Sequence, residues 1–90
     1  MERESKFLEY KAEMTNSFLK TVCVFSNFGD GKIIFGIADD GNIVGVEDPK
    51  KFGIDIENKI NDSIEPKPNF SIVHKDLLIK VIFSYATVVN

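Results

Sequence analysis

Few side chains in this 90-residue chain are placed to do chemistry. His74 is the only histidine, and it stands in a strand-like run with no partner that would make it a nucleophile activator or a zinc ligand, so a structural role is expected. Cys23 is the only cysteine. It cannot make an internal disulfide, and its place in an apolar helical pattern predicts a buried thiol in a reducing compartment. The stretch Gly29-Asp30-Gly31-Lys32 lacks the Lys-Ser/Thr pair of a phosphate-binding loop, so nucleotide hydrolysis has no support. Lysines and tyrosines remain. Lys11 can hold a phosphate or pair with Glu9 or Glu13. Lys32 is the second cation assigned to nucleic acid, although it belongs to a series with Lys50, Lys51, Lys59, Lys67, Lys75 and Lys80 that alternates with acids, as solvated faces do. Tyr10 and Tyr85 could stack a base, or fill the core with the phenylalanines.

Composition narrows the choice of partner. Hydrophobic content of 43% with 28% charged residues is that of an ordinary globular domain. The net charge of −3 sets eleven basic residues against fourteen acids. A domain that neutralises many phosphates is normally basic, so any contact with nucleic acid must come from a local patch or be helped by a metal. The charged N-terminus has no secretion-signal core and no apolar run reaches membrane-spanning length, which predicts a cytoplasmic protein.

The elements that must position these groups can be read in order. Phe7 to Lys11 alternates, with Glu9 and Lys11 on one face and Leu8 and Tyr10 on the other. Thr15, Asn16 or Ser17 offers a cap for a helix running to about Phe28, with Phe18, Leu19, Val22, Cys23 and Phe25 inward and Lys20 and Thr21 outward. Asn27 sits at its end, able to cap the helix or bind the following hairpin. Gly29 and Gly31 suit a sharp exit, with Asp30 between them able to accept from nearby amides. Lys32 to Ile37 is apolar on both parities, as in a doubly covered strand. Asp39-Asp40-Gly41-Asn42 signals a hairpin returning through Ile43 to Val46. Gly36 and Gly45, inside the two strands, imply a close approach of backbone or ligand.

Asp48 and Pro49 then open a helix over about Lys50 to Ile64, with Phe52, Ile56, Ile60 and Ile64 inward. Gly53 weakens its first turn and could delay its start. The Glu65-Pro66-Lys67-Pro68 segment stops it. Phe70 to His74 and Leu78 to Tyr85 form a last hairpin about Lys75-Asp76. The expected fold is α+β, two helices packed on a mixed sheet of about five strands in the order β-α-β-β-α-β-β, as one domain over residues 1–90.

Three blocks carry a family resemblance: Glu4-Ser5-Lys6-Phe7-Leu8-Glu9-Tyr10-Lys11; Val24-Phe25-Ser26-Asn27 with Gly31; and Ile34-Phe35-Gly36-Ile37-Ala38-Asp39-Asp40-Gly41-Asn42-Ile43-Val44-Gly45. Together they resemble the Schlafen-related, Alba-like DNA-binding domain family across nearly the whole chain. The chain departs from that pattern at Asp30, where the family has a paired glycine, and in lacking a Pro- and Arg-containing segment after the last strand.

The resemblance implies an Alba-like, Schlafen core-like fold and a DNA-binding module belonging to a larger regulator of transcription or a RecG-related helicase, or a truncated member of the family. It also implies an alternative, an endoribonuclease that cuts tRNA-like substrates with three carboxylates and Mg²⁺ or Mn²⁺. By motif position those carboxylates fall on Glu4, Glu9 and Asp39. Such ions take carboxylate and phosphate oxygens and activate water for phosphodiester cleavage. DNA or RNA is thus the expected partner, besides further domains of the parent chain. A third reading is an interaction module that dimerises through an edge strand, either Phe70–His74 or Leu78–Tyr85.

Overall fold

The computed structural model describes residues 8–15, 17–65 and 67–84; Glu4, Phe7, Asn16, Pro66 and Tyr85 lie outside them. Six elements follow in order: β1 (Leu8–Lys11), α1 (Phe18–Phe28), β2 (Asp30–Phe35), α2 (Pro49–Ser63), β3 (Phe70–Lys75) and β4 (Leu78–Ser84). The strands form one sheet ordered β1-β2-β4-β3, parallel between β1 and β2 and antiparallel elsewhere.

The sheet has four strands where about five were expected. After β2 only a single bridge, Ile37 to Ile43, marks the expected hairpin. The reason is lateral space. Helix α1 returns the chain so that β2 lies parallel beside β1, and β4 occupies the other side of β2. A returning strand therefore has no free edge of β2 to pair with. The segment instead folds across the end of the sheet: the amides of Val44 and Gly45 both donate to the Gly36 carbonyl, at 2.8 and 2.9 Å, and Val46 donates to the Leu77 carbonyl at 2.8 Å. Gly36 and Gly45 make this possible by their close approach, since a Cβ on Gly36 would lie 3.3 Å from the Gly45 Cα and 2.7 Å from Leu78 Cδ2. The observed order is β-α-β-α-β-β.

Both helices cover one face of the sheet. Phe18, Val22 and Phe25 of α1 and Ile56 and Ile60 of α2 pack on Ile33, Phe35, Ile79, Val81 and Phe83 in a single core. Its aromatic rings touch in two sets, Phe18–Phe35–Phe52 and Phe25–Phe83–Phe70, with centroids 5.3 to 6.1 Å apart. Cys23 is exposed, not buried. It stands about 100° round the helix from Val22, outside the stripe set by Phe18, Val22 and Phe25.

The helix ends follow local rules, with two departures. Gly29 caps α1 in the left-handed region, φ 69°, and donates to the carbonyls of Phe25 and Ser26. Asn27 is exposed within the last turn, so the cap belongs to Gly29. Asp30 is no turn residue; it opens β2, exposed and opposite Ser84. At the other end of α1, Ser17 occupies the cap position in helical geometry, φ −65° and ψ −20°, and its hydroxyl bonds Thr15 Oγ1 at 2.8 Å rather than a helix amide. Asp48 caps α2 by accepting from the Lys51 amide, and Pro49 is the first helical residue, so Gly53 does not delay the start. Gly53 is buried against β3, where a Cβ would meet His74 Nε2 at 2.8 Å.

Gly31 holds the exit from α1. Its φ is 139°, and a Cβ there would fall 2.4 Å from the Phe25 ring. Replacement of Gly31 by Ala is expected to cost at least about 2 kcal/mol, from backbone strain and ring displacement together. Urea denaturation measures this, and a change within about 0.5 kcal/mol, the range of a neutral surface substitution, would show that strand and ring yield freely.

Candidate functional site

The parity of the strands sorts the candidate residues onto two faces. On β1 the expected alternation holds, with Leu8 and Tyr10 buried and Glu9 and Lys11 half-buried. Tyr10 packs with Leu8 and Ile37 against Ile34 and Leu78, so its ring is not offered to a base. Glu9 and Lys11 pair laterally with Ile33 and Phe35, on the face the helices cover. Lys11 Nζ lies 3.9 Å from Glu9 Oε2, so the expected choice between phosphate and a neighbouring acid has one partner already present.

Lys32 lies on the opposite face, beside Leu8 and Ile82. The two lysines assigned to nucleic acid thus face away from each other. Lys32 has other company. Ile34 pairs with Lys80, Lys80 with Val73, and Lys75 with Leu78, which puts Lys32, Lys80 and Lys75 on one face of three adjacent strands, β2, β4 and β3. Each step from one lysine to the next moves one strand across and two residues along. Such diagonal neighbours lie about 7–8 Å apart. Lys32 and Lys75 are exposed and Lys80 is half-buried.

Among the described residues, none of the three has an ion-pair partner and no helix covers this face. Its acids sit at the margins: Asp30 at the start of β2 and Asp76 in the β3–β4 turn. Helix α2, by contrast, matches its three lysines with three acids. Lys75 and Lys80, which the sequence left among dispersed solvated lysines, therefore join Lys32 in the candidate set. The two-residue turn, Lys75 facing Leu78, was the one local signal that they share a face.

Asp39 and Glu9 sit on neighbouring parts of the fold. The amides of Gly36 and Ile37 both donate to the Lys11 carbonyl, at 2.7 and 3.3 Å, which fastens the end of β1 to the segment leading to Asp39. In the turn that follows, Gly41 N–H donates to the Ala38 carbonyl at 2.9 Å. Asp40 is the acid that braces it, accepting from the Asn42 amide at 3.0 Å and from Asn42 Nδ2 at 2.8 Å. Asp39 is exposed. Glu4, the third acid of the expected trio, lies outside the described residues, and among those described no three His, Cys, Asp or Glu side chains gather as a metal set.

Hollows on both faces of the sheet are lined by described residues. One of about 310 Å³ opens on the lysine face and is lined by Ile34, Ile37, Ile43, Lys75, Asp76, Leu78 and Lys80. The other, about 420 Å³, lies between α2 and β3 and contains no lysine, with Glu57 and His74 as its titratable groups. His74 is exposed there. β3 is an edge strand and β4 an interior one, so of the two strands expected to offer an edge only Phe70–His74 does so.

The family model described as Schlafen, AlbA_2 matches residues 4–86. No curated protein is similar enough to count as a match. Among solved structures, the N-terminal domain of a RecG-related protein from Nitrosomonas europaea is similar, with a TM-score of 0.60 and 24% identity over 89% of this chain. The chain spans 63% of that structure, and the likeness shows a shared fold. No helix among the described residues is long and apolar enough to cross a membrane.

Proposed function

The chain belongs to the Schlafen, AlbA_2 family, and from that premise we propose that it is a nucleic-acid-binding module, with DNA its foremost ligand, working within a larger regulator or RecG-related protein. One observation carries the assignment to a surface: the unpaired diagonal of Lys32, Lys80 and Lys75 on the face the helices leave open. A net charge of −3 would repel phosphates on average, so binding has to be local. Three amines in line, with acids only at the margins, meet that need. The interaction is electrostatic, and its affinity falls with salt in proportion to the number of phosphates neutralised.

Fluorescence anisotropy at low salt, with labelled single- and double-stranded DNA and RNA, tests the assignment. Binding that weakens steeply as salt rises is expected. No binding to any of the four would end this reading.

A second reading, metal-dependent RNA cleavage through Glu4, Glu9 and Asp39, draws support from one arrangement. The end of β1 is bonded to the segment that leads to Asp39, and Asp40 rather than Asp39 braces the turn. Carboxylates of Glu9 and Asp39 are the hard oxygen donors that Mg²⁺ or Mn²⁺ takes, together with substrate phosphate oxygens. On this reading, Glu9→Ala and Asp39→Ala each abolish Mn²⁺-dependent cutting of labelled tRNA. Cutting that persists in EDTA or in both variants would exclude it.

A further inference from the structure

The lysine face is not only charged. Among the described residues, Ile43, 61% exposed, lines the hollow on this face, Val73, 43% exposed, stands on it beside Lys80, and the exposed Val44 and Leu77 are chain neighbours of Ile43 and Leu78. Ile43 shares the lining of that hollow with Ile34, Ile37 and Leu78 and with the charged Lys75, Asp76 and Lys80. Phosphates satisfy the amines and leave this apolar surface in water, whereas contiguous exposed apolar patches generally mark contact sites. At about 310 Å³ the hollow is at the small end of the range for ligand sites, about 300–1,000 Å³. A single nucleobase fits within that volume.

We infer that the hollow seats an unstacked nucleobase, so that the module takes single-stranded nucleic acid in preference to duplex. This deepens the nucleic-acid reading above and rests on it. A strand that lays successive phosphates along Lys32, Lys80 and Lys75 passes the mouth of the hollow between the last two, and its base can turn inward against Ile34, Ile43 and Leu78. In a duplex the base faces are stacked on their neighbours and only the edges reach the grooves. Aliphatic side chains offer no pattern of hydrogen bonds to a base edge; they can cover only a base face, which a single strand exposes. The seat therefore follows from the chemistry of its lining together with its place beside two of the three lysines.

The test compares a single-stranded DNA oligonucleotide with a strand of equal length in which the central nucleotides are abasic, so that the phosphates are unchanged. The base-bearing strand is expected to bind about tenfold more tightly, the effect of burying one base. Ile43 is largely exposed, so Ile43→Ser leaves the fold intact. It is expected to weaken the base-bearing strand about fivefold, for the loss of one apolar side chain against the base face, and to leave the abasic strand unaffected. Equal affinity for the two strands overturns the base seat while the lysine contact stands, and a base preference untouched by Ile43→Ser places the seat elsewhere. Failure of both strands to bind removes the lysine reading, and the seat falls with it. Tighter association with phosphatidylglycerol vesicles than with the oligonucleotide, or a doubled mass in light scattering, gives this face to a lipid surface or a second copy.

Discussion

Replacing Lys32, Lys75 and Lys80 together by glutamine is expected to lower affinity for a single-stranded oligonucleotide on the order of a hundredfold, at roughly 1 kcal/mol for each charge-assisted contact. The three amines belong to adjacent strands and point from one face, so they act on consecutive parts of the same backbone. The more specific signature is in the salt dependence. Removing three phosphate contacts is expected to flatten the slope of log K against log salt by about 2, given roughly 0.7 per phosphate on a single strand. Lys11→Gln is the control. Lys11 sits on the helix-covered face beside Glu9, and its replacement is expected to leave both affinity and slope nearly unchanged. All three lysines are exposed or half-buried without ion pairs, so thermal stability is not expected to move by more than about 0.5 kcal/mol. An unchanged slope in the triple variant would place the contact surface elsewhere, and a loss in Lys11→Gln equal to that of the triple variant would move it to the β1 edge.

Phe35→Ala is expected to be the most damaging single truncation in the core. The ring is fully buried and makes edge contacts with Phe18 of α1 at 5.7 Å and Phe52 of α2 at 5.3 Å. It is thus the point at which both helices meet the sheet. Losing a buried phenylalanine costs about 3–5 kcal/mol, combining lost transfer energy with the cavity left behind. Domains of this size hold only about 5–15 kcal/mol in total, and each 1 kcal/mol moves the melting temperature by about 4–8 °C. A fall of at least about 12 °C by circular dichroism is therefore expected. Cys23→Ala, on the exposed side of α1, is expected to be neutral in the same assay. A small effect at Phe35 would mean that α1 and α2 collapse into the space, and hence that the aromatic contacts do not set helix position.

Local chemistry was legible wherever neighbours in the chain decide the outcome. Asp48-Pro49 opens α2 where the sequence places it and Gly29 ends α1, while the last turn falls on Asp76-Leu77, one residue beyond the expected Lys75-Asp76, and sets the β3–β4 register. The i, i+4 pattern of Ile56 and Ile60 found the core because α2 has one apolar side. Motif order was also enough to point to the family, since those residues specify the same short-range turns and strand phases.

The rest depended on partners distant in the chain. The Asp39–Asn42 turn formed as its residues dictate, yet Ile43 to Val46 is no strand, because β1 and β4 had already taken both sides of β2. Cys23 satisfied a loose apolar pattern and still faces solvent, because two close-packed helices leave only a narrow stripe inside. The lysine face is the plainest case. Lys75 and Lys80 are linked by a local turn, but Lys32 joins them only through the β2–β4 pairing, fifty residues apart at Lys32 and Ile82. Sequence alone determined which residues carry charge and where the two helices and the four strands of the sheet run, as these follow from side-chain chemistry and short-range geometry. Tertiary structure decided which charges stand together, because strand register is set by burying the apolar parity of each strand under the helices, and the lysines are carried to the other face as a consequence.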